Sequence, residues 1–591
     1  MTHNPSSEMH ETRTNTAVLV LILIQSLMIL AWIFNFLRYG FDVTDEGYYL
    51  NWIANPFLYD WTVTLFGYFY HPLYLLTNGS IWMMRWLNTA FILVLSFIAC
   101  MILLERGGSK GSLLFRLSVA LVYSTGCLTF LHFWLPTPNY NTLTFQGMLI
   151  AVIGLLKLDT NFKKINSFIL IGLGVAIIFI AKPTSAVLFG ILTISYYWLS
   201  GYKGKWWLAI LSFLGTLFLT IQLIDGSMYL FIERYKVGIE LFGKINPSYS
   251  ASKIIRFDPF FFNDDGKYVF IIGLIYLFFL HRFAFRKCTS DKSFWWAFFV
   301  NLVCLILFGL STFYFKLYKF QNLFVFFLVI SFHLISKFHF IRVAPKSSKL
   351  LFTFLILMPF VYAFGTGNNF WIQASQVSFY WLLALLVFAF HFEERLGRNS
   401  VLILGLFFQM LTVIAVKDAL KHPYRQPMDF TTYSSMLEDS PLRGLYLNKE
   451  VKDFFSKLRQ DAREVGFKAG YFIIDLTGQS PGLIFVLQGQ ATGFPWISGG
   501  YKGSYEVAKL GLARFDCRTI SESWLIIEPN GRRSISSDLL EHFGLSIEKD
   551  YKEALSWQTY AWMGGSAKGR EQILLRPSNI DFQKMTGCYQ N

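Results

Sequence analysis

Two adjacent carboxylates, Asp45 and Glu46, stand in the segment Asp-Val-Thr-Asp-Glu-Gly-Tyr-Tyr at positions 42–49, just after the first apolar run of the chain. Carboxylates are costly to desolvate at a membrane surface, and two neighbouring carboxylates repel each other, which favours the protonated form of one of them. A carboxylate held there can accept a proton from the hydroxyl or amine of an acceptor molecule. The plainer alternative is a helix start, with Thr44 or Asp45 capping a helix that runs from Glu46 through Leu50.

Basic and polar residues elsewhere in the apolar part of the chain are candidates for contacts with an anionic substrate. The candidate cations are His71, Arg85, Lys182, Arg256 and Lys319. The candidate cavity-lining residues are Tyr48, Tyr49, Asn139 and Asn141. Cations at such a site would bind an anionic group through charge-assisted hydrogen bonds. Each candidate also has a structural alternative, such as an arginine anchored at the membrane edge or an ordinary Pro/Asn turn.

The composition shows what kind of protein must position these residues. Of 591 residues, 54% are hydrophobic and only 15% are charged, whereas soluble domains carry about 25% charged residues. These values exclude a disordered protein, a disulfide scaffold and a cytosolic enzyme. They predict a polytopic α-helical membrane protein with a soluble part.

Long apolar runs predict about thirteen membrane-spanning helices. They lie near 17–37, 85–104, 117–135, 141–158, 167–181, 184–200, 206–224, 268–284, 294–312, 320–336, 350–365, 379–391 and 401–416. Lys and Arg are more frequent in the loops that are cytoplasmic when the N-terminus is inside, so the N-terminus is predicted to be cytoplasmic. The protein is then a multi-pass protein of the inner (plasma) membrane.

Two external loops are long, at 38–84 and 225–267, and the aromatic residues of the first predict short helices along the outer surface. An odd number of spans places the segment 417–591 outside the cell membrane, after a transmembrane domain at 1–416. Most of the formal charge of +15 lies in the transmembrane domain, which argues against a nucleic-acid partner and for membrane topology.

The C-terminal segment is predicted to be an α/β domain. Short buried strands are expected at 471–476, 524–527 and 572–575, and a helix is expected at 448–466. Cys517 and Cys588 both fall in this segment and would form a disulfide if it lies in an oxidising compartment.

The acidic pair, the basic residues and two prolines occur in a fixed order, namely Asp45-Glu46, His71-Pro72, Arg85 and Lys182-Pro183. This order resembles the GT-C superfamily of membrane glycosyltransferases over roughly residues 17–420. Within the superfamily it is most similar to glycosyltransferase family 39, with the protein O-mannosyltransferases and the lipid A aminoarabinose transferase. The resemblance implies about a dozen membrane helices and, in some members, an external C-terminal domain.

The resemblance also implies a function. It implies a polyprenyl-phosphate-linked sugar as donor and transfer on the extracytoplasmic face, with Asp45 as catalytic base and Glu46 as its partner. The donor phosphate would then be contacted by His71, Arg85, Lys182, Arg256 and Lys319. The sequence departs from the family pattern at Gly47 and in having His-Pro-Leu at 71–73 rather than His-Pro-Pro-Leu, which leaves the acceptor open among lipid, glycan and protein.

The expected activity is that of an inverting glycosyltransferase, since a base on one side and a leaving phosphate on the other require attack from the opposite face of the sugar. Two alternatives stay open: a transporter or flippase for lipid-linked sugars, and a glycan polymerase or ligase that uses the basic loop 225–267. No metal site is predicted, although the spacing of Asp45, Glu46 and His71 leaves a divalent metal open as a cofactor.

Overall fold

The computed structural model describes residues 5–107, 111–158, 164–202, 204–245, 344–391, 398–427, 429–438, 441–578 and 580–589, together with the single residue 275. Two predicted donor contacts, Arg256 and Lys319, lie outside the described residues. So do the predicted spans at 294–312 and 320–336, and all of the span at 268–284 except residue 275.

The N-terminal part of the chain is helical. Its α-helices are α1 (Pro5–Phe36), α2 (Asp45–Ala54), α3 (Phe66–Leu76), α4 (Ile81–Arg106), α5 (Leu113–Ser124), α6 (Tyr140–Lys157), α7 (Lys164–Ala181), α8 (Pro183–Leu199), α9 (Trp207–Ile224), α10 (Met228–Ile245), α11 (Lys346–Ala363), α12 (Phe370–Ser375), α13 (Phe379–His391) and α14 (Arg398–Lys421). Two 3₁₀ segments join them, Pro56–Leu58 and Thr125–Phe133.

Within the described ranges, six helical segments are long and apolar enough to cross a membrane. They are Thr16–Phe36, Ile81–Arg106, Leu113–Phe133, Trp207–Ile224, Lys346–Ala363 and Val401–Lys421. Each predicted span that falls in these ranges corresponds to a helix, and the one near 117–135 consists of α5 and the 3₁₀ segment that follows it. The polytopic helical class is therefore confirmed. The last helix runs on to Lys421, past the predicted domain boundary at 416.

The long first loop is built from short helices, as predicted, and a polar network ties it to the membrane helices. The hydroxyl of Tyr70 on α3 donates to Gln146 Oε1 on α6 at 2.9 Å. Gln146 Nε2 donates to Asn88 Oδ1 on α4 at 2.8 Å. Because all three side chains are buried, their polar groups satisfy one another and fix α3 against α4 and α6.

The C-terminal part is an α/β domain, as predicted. Its helices are α15 (Lys449–Glu464), α16 (Pro481–Val486), α17 (Ser504–Leu512), α18 (Cys517–Glu522) and α19 (Ile547–Asp550). Its strands are β1 (Ser435–Met436), β2 (Tyr446–Leu447), β3 (Phe472–Asp475), β4 (Gln490–Ala491), β5 (Trp524–Ile527), β6 (Tyr551–Gln558) and β7 (Glu571–Pro577). Further 3₁₀ segments are Phe430–Thr432, Ser537–Phe543, Met563–Gly565 and Phe582–Lys584.

Five of these strands form one mixed sheet in the order β4-β3-β5-β7-β6, and β1 pairs with β2 separately. β3 pairs in parallel with β4 and β5, while β7 is antiparallel to β5 and β6. The predicted disulfide between Cys517 and Cys588 is confirmed, with a Cα–Cα distance of 5.1 Å. It joins α18 to the C-terminal end of the chain.

The first loop and the α/β domain pack against each other. Asn51 Nδ2 on α2 donates to the carbonyls of Pro481 at 2.8 Å and Pro495 at 3.1 Å, and the Tyr59 hydroxyl donates to the Ala491 carbonyl at 3.0 Å. Arg514, two residues after the end of α17, forms an ion pair with Asp60. These contacts place α2, and with it the acidic segment, between the membrane helices and the C-terminal domain.

Candidate functional site

The acidic segment is organised around Asp42, which is fully buried just before α2. The carboxylate of Asp42 accepts from the Thr44 hydroxyl at 2.8 and 2.9 Å, from the Thr44 amide at 3.2 Å and from the Glu46 amide at 3.3 Å. Thr44 precedes the helix but makes no side-chain cap, because its hydroxyl is directed to Asp42. Asp42 thus satisfies the exposed amides at the start of α2 and sets its direction.

Asp45, the predicted base, is the first residue of α2 and forms an ion pair with Arg425. Arg425 Nη1 donates to Asp45 Oδ2 at 3.1 Å and to Thr44 Oγ1 at 3.0 Å. The two side chains are 26% and 25% exposed, so the pair lies at the edge of the buried region and is open to solvent. The Tyr424 side chain also acts on Asp45 and lowers its pKa.

Burial and the nearby cations have opposite effects on the pKa of Asp45. Burial raises the pKa of Asp45 above its ordinary value, while the positive charge of Arg425, the side chain of Tyr424 and the charge of Arg533 each oppose that rise. The net direction is upward. A carboxylate with a raised pKa is a stronger base than a free aspartate, provided that it stays ionised.

The carboxyl group of Asp42 is the second one in this segment with a raised pKa. Burial, and to a smaller extent the charge of Asp45, raise the pKa of Asp42 to about 7, against the opposing effects of Arg425 and Thr44. Near neutral pH the segment therefore holds two carboxyl groups that share one cationic neighbour. Their protonation is coupled, since a charge on one disfavours a charge on the other.

Glu46 and Arg85 form a buried pair that faces away from solvent. Both side chains are 1% exposed, and Arg85 Nη2 lies 2.6 Å from Glu46 Oε1. Thr137 donates a further hydrogen bond to Glu46 Oε1, and the Asp42 amide donates to Glu46 Oε2 at 3.0 Å. Glu46 is therefore held in a structural network that anchors the start of α2.

The donors of Arg85 are all used by the protein. Nη1 donates to the carbonyls of Leu37 at 3.0 Å and Tyr39 at 3.2 Å, Nη2 donates to Gly40 at 3.0 Å and to Glu46, and Nε donates to Glu46 at 3.0 Å. This corrects the expectation that Arg85 meets the donor phosphate, because no N–H group is left for it. Arg85 instead ties α4 to the end of α1 and to α2.

His71 and Lys182 are placed away from Asp45. His71 Nδ1 lies 2.7 Å from the carbonyl of Ile53, near the far end of α2. Eight residues separate Ile53 from Asp45, which is about 12 Å along a helix axis. Lys182, in the turn between α7 and α8, donates to the carbonyl of Tyr362 at 2.9 Å. The structure thus brings neither cation into contact with the acidic segment.

The aromatic candidates flank Asp45 and extend into the α/β domain. Tyr49 is 4% exposed, and its ring centroid lies 6.2 Å from that of Tyr140. Tyr48 is half-buried and lies 6.2 Å from the ring of Trp496 in the C-terminal domain. Trp496 is itself fixed by its Nε1, which donates to the Gly478 carbonyl at 3.0 Å. The aromatic residues on this side of Asp45 therefore come from both the first loop and the C-terminal domain.

Asn139 and Asn141 make different contacts. Asn139 caps α6, because its side chain accepts from the amides of Asn141 and Thr142 while the Thr142 side chain accepts from the Asn139 amide. The ordinary-turn alternative therefore describes Asn139. Asn141 is half-buried and accepts from Gln373 Nε2 on α12 at 3.2 Å.

The sequence analysis missed the residues that face Asp45 from the C-terminal side, namely Tyr424, Arg425 and Arg533, and also Asp42. Arg425 stands only four positions after the end of α14, in the segment Tyr-Arg-Gln-Pro at 424–427. Its position at the membrane-proximal start of the α/β domain was the available signal. Nothing in the sequence relates it to Asp45, which lies 380 positions earlier.

The candidate ligands of a divalent metal ion are Asp45, Glu46 and His71. Among the described residues, His, Cys, Asp and Glu side chains form no group of three or more that could bind one. The acidic segment brings Asp42, Asp45 and Glu46 near one another, but Glu46 is occupied by Arg85 and Asp45 by Arg425.

No protein-family model and no curated protein matches the sequence. Among solved structures, the chain is similar to the arabinofuranosyltransferase AftD from Mycobacteria, with 12% identity and a TM-score of 0.41 over 95% of this chain and 40% of that one. It is also similar to ArnT from Cupriavidus metallidurans in the apo state, with 11% identity and a TM-score of 0.40 over 95% of this chain and 98% of that one.

Proposed function

We propose that this protein is a membrane glycosyltransferase that moves a sugar from a polyprenyl-phosphate donor to an acceptor on the extracytoplasmic face, with Asp45 as the base. The observation that supports this function most is the setting of Asp45. It is a partly exposed carboxylate with a raised pKa, paired with a cation, at the junction between a membrane-proximal loop and an α/β domain.

The reaction requires one proton transfer and one substitution. Asp45 takes the proton from the acceptor hydroxyl or amine, and the freed electron pair forms a bond to the anomeric carbon. The bond between that carbon and the phosphate oxygen breaks, and the phosphate leaves with the electron pair. Attack from the face opposite the phosphate inverts the anomeric centre. The phosphate is a good leaving group, so a cation near it is enough and no strong acid is required.

Other residues receive roles that follow from their contacts. Glu46 is a positioning residue, since its network with Arg85 fixes the start of α2 on which Asp45 stands. His71, Lys182, Arg256 and Lys319 are proposed contacts for the donor outside the immediate surroundings of Asp45. Tyr48 and Trp496 supply an aromatic surface on which a sugar ring can stack.

The proposed side of the membrane is supported by the disulfide. Cys517 and Cys588 are bonded, and disulfides form and persist in oxidising compartments. An α/β domain outside the cytoplasm also places Asp45 outside, because the domain packs directly on α2.

The experiment uses membranes from cells that lack the protein and carry either the wild type or the Asp45→Asn variant. Mass spectrometry of polyprenyl-phosphate sugars and of envelope lipids, glycans and proteins is the measurement. We expect lipid-linked sugar to accumulate and one sugar-modified product to disappear with Asp45→Asn but not with the control Asp418→Asn. The control residue has a side chain that is 31% exposed and pairs with His422.

A flippase would give a different result in the same experiment. It would move labelled lipid-linked sugar across reconstituted vesicles with the sugar–phosphate bond intact, and no free polyprenyl phosphate would be produced. Release of polyprenyl phosphate in step with product formation supports the transferase, and transport without release overturns it.

A further inference from the structure

Arg425 is placed unlike the structural arginines of the chain. Arg85 is 1% exposed and spends its donors on Glu46 and on backbone carbonyls, and Arg234 pairs with Asp225 at 5% exposure. Arg425 is 25% exposed, and its two hydrogen bonds, to Asp45 and Thr44, both come from Nη1. The guanidinium group of Arg425 is therefore held through Nη1, and the rest of the group is accessible.

The pair between Arg425 and Asp45 keeps the pKa of Asp45 lower than burial alone would make it. A carboxylate that accepts a hydrogen bond from a guanidinium group is a weaker base, because the positive charge stabilises its ionised form. A base in the proposed reaction must be released from that charge when the acceptor is to be deprotonated. Some event on binding must therefore move Arg425 away from Asp45.

A phosphate is the ligand best suited to do so. Guanidinium groups bind phosphate oxygens through two parallel hydrogen bonds, and a phosphate carries at least as much charge as a carboxylate. The Tyr424 ring lies 4.6 Å from the Arg425 guanidinium carbon, and the Gly564–Gly565 turn lies against Thr44 and the Arg425 stem. These neighbours hold the stem while leaving the end of the side chain room to reorient.

We propose that Arg425 is a ligand of the donor phosphate and that it exchanges Asp45 for that phosphate when the donor binds. The C-terminal domain thereby completes the site, and the base is freed only when a donor is present. This inference rests on the proposed function for the identity of the donor. The exchange is non-covalent, since only hydrogen bonds and an ion pair are broken and formed.

The first test measures binding rather than transfer, in purified full-length protein with a short-chain polyprenyl phosphate as probe. Arg425→Gln is expected to weaken binding of the probe by about tenfold to a hundredfold, the value of a charge-assisted hydrogen bond. Arg425→Lys keeps the charge but not the paired donors, so its affinity for the probe is expected to lie between those of Arg425→Gln and the wild type. The control Arg518→Gln, at an exposed pair with Glu522, should bind as wild type does.

The second variant gives a result that a merely structural role of Arg425 would not produce. Asp45→Asn removes the carboxylate that competes with the phosphate for Arg425, so it is expected to tighten binding of polyprenyl phosphate severalfold. Inorganic phosphate, tested alongside, separates recognition of the phosphate group from recognition of the lipid chain. Each variant is accompanied by its thermal unfolding midpoint.

The pH profile of transfer gives a third readout. The charged and titratable groups that act on Asp45 are Asp42 and Tyr49 beside it, Tyr424 and Arg425 after α14, and Arg533 after β5. Loss of Arg425 removes a cation that stabilises ionised Asp45, so the acidic limb of kcat/KM should move to higher pH in Arg425→Gln. An unmoved limb together with unchanged probe binding overturns the proposal.

The outcomes separate this inference from the proposed function. Weaker probe binding by Arg425→Gln and tighter binding by Asp45→Asn support the exchange, whether or not sugar transfer is the reaction. If the Asp45→Asn variant still transfers sugar, the proposed function is wrong. The binding measurements still test whether Arg425 binds the phosphate. Normal binding by a stably folded Arg425→Gln variant overturns the exchange alone.

Discussion

Gly47 of α2 and Gly482 of α16 meet with no room for a side chain between them. A Cβ atom on Gly47 would lie 2.3 Å from the Gly482 amide nitrogen and 2.4 Å from its Cα, and the same amide donates to the Val43 carbonyl at 2.7 Å. At Gly47 the sequence departs from the pattern of the family that it resembles, and this close contact gives the departure a structural reason. It lets the α/β domain pack directly on the helix that begins with Asp45.

The first prediction concerns this contact. Gly47→Ala is expected to force α2 away from α16 and to destabilise the protein by about 1–3 kcal/mol, the usual cost of overpacking a tight contact. Transfer activity should fall with it, because Asp45 moves relative to Arg425. The measurements are the thermal unfolding midpoint in detergent and the transfer rate. Gly215→Ala on α9, where a Cβ meets nothing within 4 Å, is the matched control and should lose neither.

The second prediction concerns the buried pair of Glu46 and Arg85. Arg85→Met removes the cation that pairs with Glu46 and one donor from each of three backbone carbonyls, so it is expected to destabilise the protein by about 3–5 kcal/mol. Glu46→Gln keeps an acceptor for Arg85 and Thr137 and should cost less, about 1–3 kcal/mol. Thermal unfolding in detergent measures both.

The exposed pair of Arg518 and Glu522 provides the control, and Arg518→Met should leave the unfolding midpoint unchanged. A different pattern would restore the expectation that Arg85 contacts the donor. In that case Arg85→Met would remain as stable as the wild type and would lose affinity for polyprenyl phosphate.

The third prediction uses the raised pKa of Asp42. Burial raises this pKa from 3.8 to about 7, so between these values the folded protein holds a proton that the unfolded chain releases. Stability from this group is therefore greatest at low pH, falls as the pH rises from about 4 to about 7, and is level above that. The wild-type unfolding midpoint should fall more between pH 5 and pH 8 than that of Asp42→Asn.

The comparison of slopes isolates the coupled carboxyl groups of Asp42 and Asp45 from the other carboxyl groups, which titrate alike in both proteins. Asp60→Asn, whose side chain is 59% exposed, should keep the wild-type slope. Equal slopes for the wild type and Asp42→Asn would contradict the assignment.

The fourth prediction concerns the disulfide that joins α18 to the C-terminal end of the chain. Removing it with Cys517→Ser is expected to destabilise the α/β domain by about 2–5 kcal/mol, since the bond closes a loop of 71 residues that the unfolded chain would otherwise leave free. Non-reducing peptide mass spectrometry should recover Cys517 and Cys588 as one linked pair. Two free thiols in protein taken directly from the membrane would contradict the placement of this domain outside the cytoplasm.

The class of fold was accessible from the sequence because it depends on local patterns. Apolar runs of membrane length and short β-branched runs each report on burial of the segment that contains them, so α1, α4 and β5 were predicted closely. Two strands of the five-stranded sheet were missed, namely β4, which has two residues, and β6, which has eight. β6 is an edge strand whose residues are mostly half-buried or exposed, which leaves little hydrophobic pattern to detect.

The site was only partly accessible, for a reason that concerns chain distance. Asp45 was identified from an acidic pair, but its partner Arg425 lies 380 positions away and looks like an ordinary loop arginine. Arg85 was predicted to bind phosphate because an arginine at the start of a span suits both roles. Which role Arg85 has depends on how many of its N–H groups are already hydrogen-bonded within the protein. That number can be read only from the folded structure.

The central claim is that Asp45 acts as the base of a sugar transfer. The most direct measurement is kcat with purified protein, a polyprenyl-phosphate sugar and the acceptor found in membranes, for the wild type, Asp45→Asn and Asp418→Asn. Asp45→Asn should lower kcat by about a hundredfold or more, the contribution of a positioned base, while it stays folded and binds polyprenyl phosphate. A folded Asp45→Asn protein with wild-type kcat would contradict the account.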